Sequence, residues 1–236
     1  MQARGIAYVA PSPLLAGLFA PDVVAVETRQ PVEVGVLHAD EVRYVARTAP
    51  KRAAEFAAGR ACARAALAQL GILDFALRVG PDREPLWPAE AIGSITHTTG
   101  FCGVVVAPRA SIAALGIDVE VRNAVRRELW PRICTDSERQ SLANLPPERA
   151  SELATVVFCV KEAFFKCQYA LTHEWLNFGD VCVELEPDVD GAVRVQPQRT
   201  LKLQEWQPAP WVVRTAHEAQ LTAAGFSVAA RPVTRR

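Results

Sequence analysis

The chain has 236 residues, enough for one large domain or two small fused ones with a sizeable core. Half of it is hydrophobic and 22% is charged, the composition of a soluble globular protein. Lys and Arg total 26 and Asp and Glu total 26, so no global field points to nucleic acid or an anionic membrane, and any anion site has to be a local concentration of Lys and Arg.

The segment "GIAYVAPSPLLAGLFAP" is apolar, but Pro11 and Pro13 interrupt it and only Arg4 precedes it as a basic residue, which argues against a signal peptide. No stretch approaches the roughly 18 unbroken apolar residues of a membrane span. Residues 5–45 read as short strands and loops broken by Pro and Gly. From Ala49 to Leu70, "APKRAAEFAAGRACARAALAQL" predicts a helix that opens on Pro50 and closes at Gly71. "GPDREPLWP" reads as a turn. "GSITHTTGFCGVVVA" reads as a loop between short strands, the second ending at Ala107, and Pro108–Ser111 as a linker. "IAALGIDVE" is a strand. Helices are expected over about 136–145 and 148–169, separated by "PPERA". The alternating segments "DVCVELE", "AVRVQP", "LKLQEW", "WVVRTA" and "GFSVAARPV" predict an antiparallel sheet, and the final "TRR" a frayed end. The fold class is α+β, with two units meeting near residues 108–113. Cysteines 62, 102, 134, 159, 167 and 182 form no C-x-x-C or zinc-spaced cluster, which points to a reducing, cytoplasmic compartment.

Three patterns carry chemistry. In "GIDVE", Asp118 and Glu120 lie two apart on a strand and share a face. They are either two solvated acids on an edge strand or a pair compensated by a hard divalent cation. In "FCVKEAFFKC", Phe158, Glu162 and Lys166 form one helical stripe, with Lys161 about 100° away. The segment is either an ordinary amphipathic helix or a partly buried wall of one carboxylate and two ammonium groups. Between residues 47 and 64, Arg47, Lys51, Arg52, Arg60 and Arg64 face a single Glu55. Such a surplus is either a solvated helix face or a phosphate grip. His97 sits among the hydroxyls of Ser94, Thr96 and Thr98, which could donate to phosphate, although a lone His is more often structural.

In their order and spacing, "SITHT", "GIDVE" and "FCVKEAFFK" resemble the 4′-phosphopantetheinyl transferase superfamily, whose bipartite signature is G-[IV]-D-x-E followed by [FW]-x-x-K-E-[AS]-x-x-K. "KRAAEFAAGRACARAAL" and "FGDVCVEL" resemble its Sfp-type branch, near enterobactin synthetase component D and the mycobacterial enzymes, and the resemblance runs from about Arg47 to Glu186. It implies two similar α/β subdomains in pseudo-twofold arrangement, 1–110 and 111–236, each a small antiparallel sheet packed on a long helix, with the active site in the cleft between them. It implies Mg²⁺-dependent transfer of the phosphopantetheine arm of coenzyme A, the co-substrate, to a serine of an apo acyl- or peptidyl-carrier protein by a cytoplasmic monomer that uses no nucleic acid or membrane. Mn²⁺ is an alternative ion.

By the same resemblance, Asp118, Glu120 and Glu162 would hold the metal. Glu162, Lys166 and His97 are the expected catalytic residues. Lys51, Arg52, Arg60, Arg83, Thr96, His97, Asp118, Lys161, Lys166 and Trp175 are the expected coenzyme A contacts, Trp175 along the pantetheine arm. The chain departs from the family pattern at "GPDREP": Arg83 replaces a small residue and Val79 stands where relatives carry Lys, so Arg83 or Arg78 is the candidate compensator at the 3′-phosphate seat. The competing reading is a non-catalytic coenzyme A- or nucleotide-binding relative. Its mark would be loss of a metal acid or of the second lysine, and neither is lost. A third reading, a different Mg²⁺-dependent phosphotransferase, has no G-x-x-x-x-G-K-[ST] loop to support it.

Overall fold

The computed structural model describes residues 8–185 and 191–231. Arg4, Glu186 and the terminal "TRR" lie outside them.

The first sheet has strands β1 (Ala10–Pro11), β2 (Val24–Thr28), β3 (Ala91–Thr98) and β4 (Phe101–Pro108), in the order β1-β2-β4-β3 and antiparallel throughout. Helix α1 (Pro13–Ala16) and helix α2 (Ala39–Val42) are single turns inside the region expected to hold only strands and loops. Buried Ser12 caps α1 by accepting from the Leu15 amide. The long α3 (Pro50–Gln69) has Pro at its start, where a missing N–H costs nothing. Its small residues Ala57, Ala58, Ala61 and Ala66 let it lie close on β2 and β4, over a core that includes Val26, Leu67, Val104 and Val106.

The second sheet has β5 (Ile112–Val121), β6 (Val181–Val183), β7 (Ala192–Pro197), β8 (Trp211–Glu218) and β9 (Leu221–Ala229), in the order β5-β9-β8-β7-β6. "LKLQEW" is a 3₁₀ turn at Lys202–Glu205 and not a strand. Between β5 and β6 run α4 (Trp130–Ile133), α5 (Asp136–Ala143) and α6 (Pro147–Thr172). α6 packs on β5 and β9, with Phe164 set between Trp211 at 4.9 Å and Phe226 at 5.3 Å. It ends at His173 in the left-handed region, φ 49°, which His tolerates better than most residues.

A third cluster joins the sheets, with Leu15, Val105 and Ala107 packed against Leu115, Ile117 and Val119. Here the edge strands β3 and β5 lie side by side without a backbone ladder, and hydroxyls replace it. Ser94 Oγ accepts from the Ile117 amide at 3.2 Å and Thr96 Oγ1 from the Val119 amide at 3.0 Å. "SITHT" is therefore strand and seam rather than loop. It runs into a tight hairpin at Thr99–Gly100, where Gly100 supplies φ +73°. Pro108–Ser111 is a turn between strands, not a loose linker.

Candidate active site

Gly116 brings the two signature segments together. A Cβ there would stand 2.1 Å from Ala163 O and 2.6 Å from Cys167 N, so its absence lets α6 rest directly on β5. Asp118 is on the same strand face as Gly116, and Lys166 is three residues beyond Ala163 on the helix. Lys166 Nζ donates to Asp118 Oδ1 at 2.7 Å and to Ile117 O at 3.0 Å. Burial opposes the charge on Lys166, but Asp118 and then Glu162 outweigh it, and its pKa stands above the ordinary lysine value. The other oxygen of Asp118, Oδ2, is buried with no hydrogen-bond partner. Such an atom is costly unless something positive meets it.

Glu162 and Glu120 flank this pair. Burial raises the Glu162 pKa; Lys166 opposes the shift and Asp118 adds to it. Burial also raises that of Glu120, partly offset by Thr98 Oγ1, which donates to Glu120 Oε2 at 2.9 Å. Among the described residues, no three His, Cys, Asp or Glu side chains are gathered closely enough to hold a metal ion by themselves. Asp118, Glu120 and Glu162 are thus not a ready-made cage: Lys166 occupies one Asp118 oxygen and Thr98 holds Glu120. The oxygen donors, and above all the orphaned Oδ2, nevertheless suit a hard cation that takes its remaining ligands from phosphate and water.

Lys166 also lines a cleft of about 880 Å³ between α3, β3, the 79–87 segment and the end of α6. That volume is ample for a small-molecule ligand. The carboxylates adjoin the cleft through Lys166 rather than forming its wall. Arg52, Arg60 and His97 lie on the wall from the first sheet's side. Arg52 Nη1 donates to His97 Nε2 at 2.6 Å, so that nitrogen is the acceptor. Burial first, then the Arg52 guanidinium, lowers the His97 pKa, and the ring is neutral at pH 7. Arg60 is buried, donates to Leu77 O and stacks 4.0 Å over Phe56, and burial lowers its pKa to about 10. Arg83, at φ 68°, and Trp175, edge-on to Phe165 at 5.2 Å, line the same cleft. Across its mouth, Tyr169 on α6 donates to Asp82 Oδ2 at 2.8 Å.

The family profile described as 4′-phosphopantetheinyl transferase N-terminal domain matches residues 40–107, and that described as 4′-phosphopantetheinyl transferase superfamily matches residues 114–224. The chain belongs to the 4′-phosphopantetheinyl transferase superfamily. It is 39% identical to 4′-phosphopantetheinyl transferase Svp of Streptomyces mobaraensis over 66% of this chain and 63% of that protein. It is 36% identical to 4′-phosphopantetheinyl transferase PptT of Mycobacterium tuberculosis over 64% of this chain and 66% of that protein. With enterobactin synthase component D of Escherichia coli it shares 37% identity over 49% of this chain and 54% of that protein. The match therefore spans a little under two thirds of the first relatives' length. A solved holo-(acyl-carrier-protein) synthase from Bacillus anthracis overlays 52% of this chain with a TM-score of 0.39 and 21% identity.

Among the residues expected of a phosphopantetheinyl transferase, the structure brings Arg52, Arg60, Arg83, His97, Lys166 and Trp175 to one cleft, with Asp118 one hydrogen bond behind it. Two expectations are corrected. Lys161 is 2% exposed, and its three N–H groups go to Ile133 O, Glu138 Oε2 and Phe178 O, so it closes the second core and faces no ligand. Thr96 is buried in the β3–β5 seam, bound to the Val119 amide and, at 3.4 Å, to Asp118 Oδ1. Lys51 stands on α3 outside the cleft lining, with its long side chain exposed to solvent. The basic surplus of α3 is also smaller than its sequence suggests, because Arg64 Nη1 donates to both oxygens of fully buried Glu41, at 2.9 and 3.2 Å. Sequence reasoning missed Gly116 as a contact and Asp82–Tyr169 as a bridge. The alternation Ser94, Thr96, Thr98 was the available signal for the seam.

Proposed function

We propose that the protein transfers the 4′-phosphopantetheine arm of coenzyme A to a serine hydroxyl of an apo acyl- or peptidyl-carrier protein, releasing 3′,5′-ADP. The observation that carries this reading is Lys166, which lines an arginine-walled cleft of about 880 Å³ and binds Asp118 behind it, whose second carboxylate oxygen is buried and unpartnered. The division into 1–110 and 111–236, their pseudo-twofold relation, the monomeric state and the cytoplasmic location belong to the same reading. In support of the two-part division, the two sheets each carry one long helix.

Asp118, Glu120 and Glu162 would hold Mg²⁺, or Mn²⁺, together with diphosphate oxygens. A bound divalent ion at such a site neutralises phosphate charge and polarises phosphorus. Lys166 has one N–H beyond its two protein bonds and would direct it at the diphosphate, offsetting charge on the leaving ADP. Arg52 and Arg60 would grip the 3′-phosphate with guanidinium forks. Neutral His97 would stay fixed by Arg52 and offer its other ring nitrogen as donor. Glu162, held partly out of water, would take the serine proton directly or through one water as the serine oxygen bonds to phosphorus and the bond to ADP breaks. The work of such a site is mainly positioning and charge stabilisation.

The deciding experiment is intact-protein mass spectrometry of an apo carrier protein incubated with this protein, coenzyme A and Mg²⁺, with and without chelator. A chelator-sensitive gain of one phosphopantetheine on the carrier serine is expected. No gain across carriers of several classes, despite measurable coenzyme A binding, would replace this reading with the non-catalytic binding relative.

A further inference from the structure

The acids of β5 are not positioned by their own sheet alone. Ser94 and Thr96 of β3 bind consecutive alternate amides of β5, those of Ile117 and Val119. This fixes the register between the two edge strands, because hydroxyls two apart on one strand meet amides two apart on the other. The next residue in the series is Thr98. It binds no amide of β5: its Oγ1 donates to the side chain of Glu120 at 2.9 Å. Both groups are half-buried, so the bond is shielded from competing water. A Glu side chain has three rotatable bonds, and Glu120 stands one residue from the end of β5. A threonine is stiff at χ1, so its hydroxyl comes with a preset direction.

We propose that Thr98 is a positioning residue that holds the Glu120 carboxylate in the orientation needed to bind a divalent cation beside Asp118. The sheet that carries no acid of the site thus sets the geometry of one that does. The inference rests on the reading of Asp118 and Glu120 as cation-holding residues. Thr98 contacts Glu120 and no reacting group, and it spends its single proton on the carboxylate, which keeps other lone pairs for an ion. A carboxylate fixed in this way loses less side-chain freedom when it takes up an ion.

The test compares wild type with Thr98→Val, which keeps shape and removes the hydroxyl, and Thr98→Ser, which keeps the hydroxyl. Mn²⁺ binding to the protein–coenzyme A complex is read by electron paramagnetic resonance, alongside the Mg²⁺ dependence of transfer and thermal melting. Thr98→Val is expected to weaken Mn²⁺ binding and raise the half-saturating Mg²⁺ concentration by about tenfold, the usual cost of removing a partner of a metal ligand. Coenzyme A binding in chelator is expected to be unchanged, and Thr98→Ser should recover most of the Mn²⁺ affinity. Where the valine variant does not fold, Thr98→Ala carries the same expectation. Wild-type Mn²⁺ affinity in the folded valine or alanine variant would overturn the proposal while leaving the cation site standing. No Mn²⁺ binding by the wild-type complex would overturn the cation site and the proposal with it.

Discussion

Lys166 Nζ lies 2.7 Å from Asp118 Oδ1 and 3.0 Å from Ile117 O, so one ammonium ties α6 to the backbone and side chain of successive β5 residues. Removing it leaves a buried carboxylate with neither cation nor full hydrogen bonding. Lys166→Met is expected to lower stability by about 1–3 kcal/mol, less than a fully buried pair would lose because Lys166 keeps some solvent contact. Transfer should fall by about 10²–10³, the scale of losing one aimed charge donor. Denaturant unfolding and single-turnover transfer test both; a variant with normal stability and turnover would separate the pair from fold and chemistry alike.

Glu162→Gln should separate function from stability. Burial raises the Glu162 pKa, so the folded state holds its proton more tightly than the unfolded state. Its contribution to stability is therefore lost as pH rises from the ordinary carboxylate range through the raised folded value. Well below both values the carboxyl is neutral, and the variant should melt near wild type. At pH 7, without ligand, the variant should melt at the same or a higher temperature, while transfer is abolished. Near-normal turnover would remove Glu162 from the mechanism, and a clear loss of melting temperature at pH 7 would contradict the cost assigned to its charge.

Lys161→Met tests the reassignment of Lys161 to the core. Breaking its buried pair with Glu138, 2.8 Å apart, strands a carboxylate that also accepts from the Val183 and Thr135 amides. A loss of about 3–5 kcal/mol is expected. Activity per folded molecule should hold, with the KM for coenzyme A unchanged. A well-folded variant with a raised KM would return the ammonium to the ligand.

Arg52→Ala and Arg60→Ala should each weaken coenzyme A by about tenfold and its 3′-dephospho analogue far less. Arg60→Ala should also lower the melting temperature, because its guanidinium serves Leu77 O and Phe56 as well. Equal weakening of both ligands would dismiss the 3′-phosphate assignment.

Much of this arrangement was legible because it is local. Period-two spacing placed Asp118 and Glu120 on one face, period-3.6 spacing placed Glu162 and Lys166 on one stripe, and Pro50 and Gly71 marked the limits of α3. What failed was decided by distant partners. Lys161 resembles Lys166 in sequence, but Glu138, 23 residues away in α5, claims it. Arg64 shares a face with Arg60, yet Glu41 neutralises it from a one-turn helix that no periodicity announced. "SITHT" is rich in hydroxyls and reads as a loop until the β5 edge is beside it. The cleft likewise draws its lining from distant segments, among them Asp82 and Tyr169, whose hydrogen bond spans 87 residues of chain.

The direct contact of α6 with β5 at Gly116 also bears on how such a chain can change length. The two signature segments meet because a side chain is missing at one strand position, not because the intervening 122–146 stretch measures a set distance. That stretch runs mostly over the surface, with Arg126, Arg127, Arg132 and Asp136 exposed. Additions or deletions at its exposed turns leave the meeting point where it is, since lengthening a surface connection costs little. A single methyl group at residue 116 would push helix and strand apart. The number of residues between Asp118 and Lys166 is thus less constrained than the single position 116, where the glycine keeps strand and helix in contact.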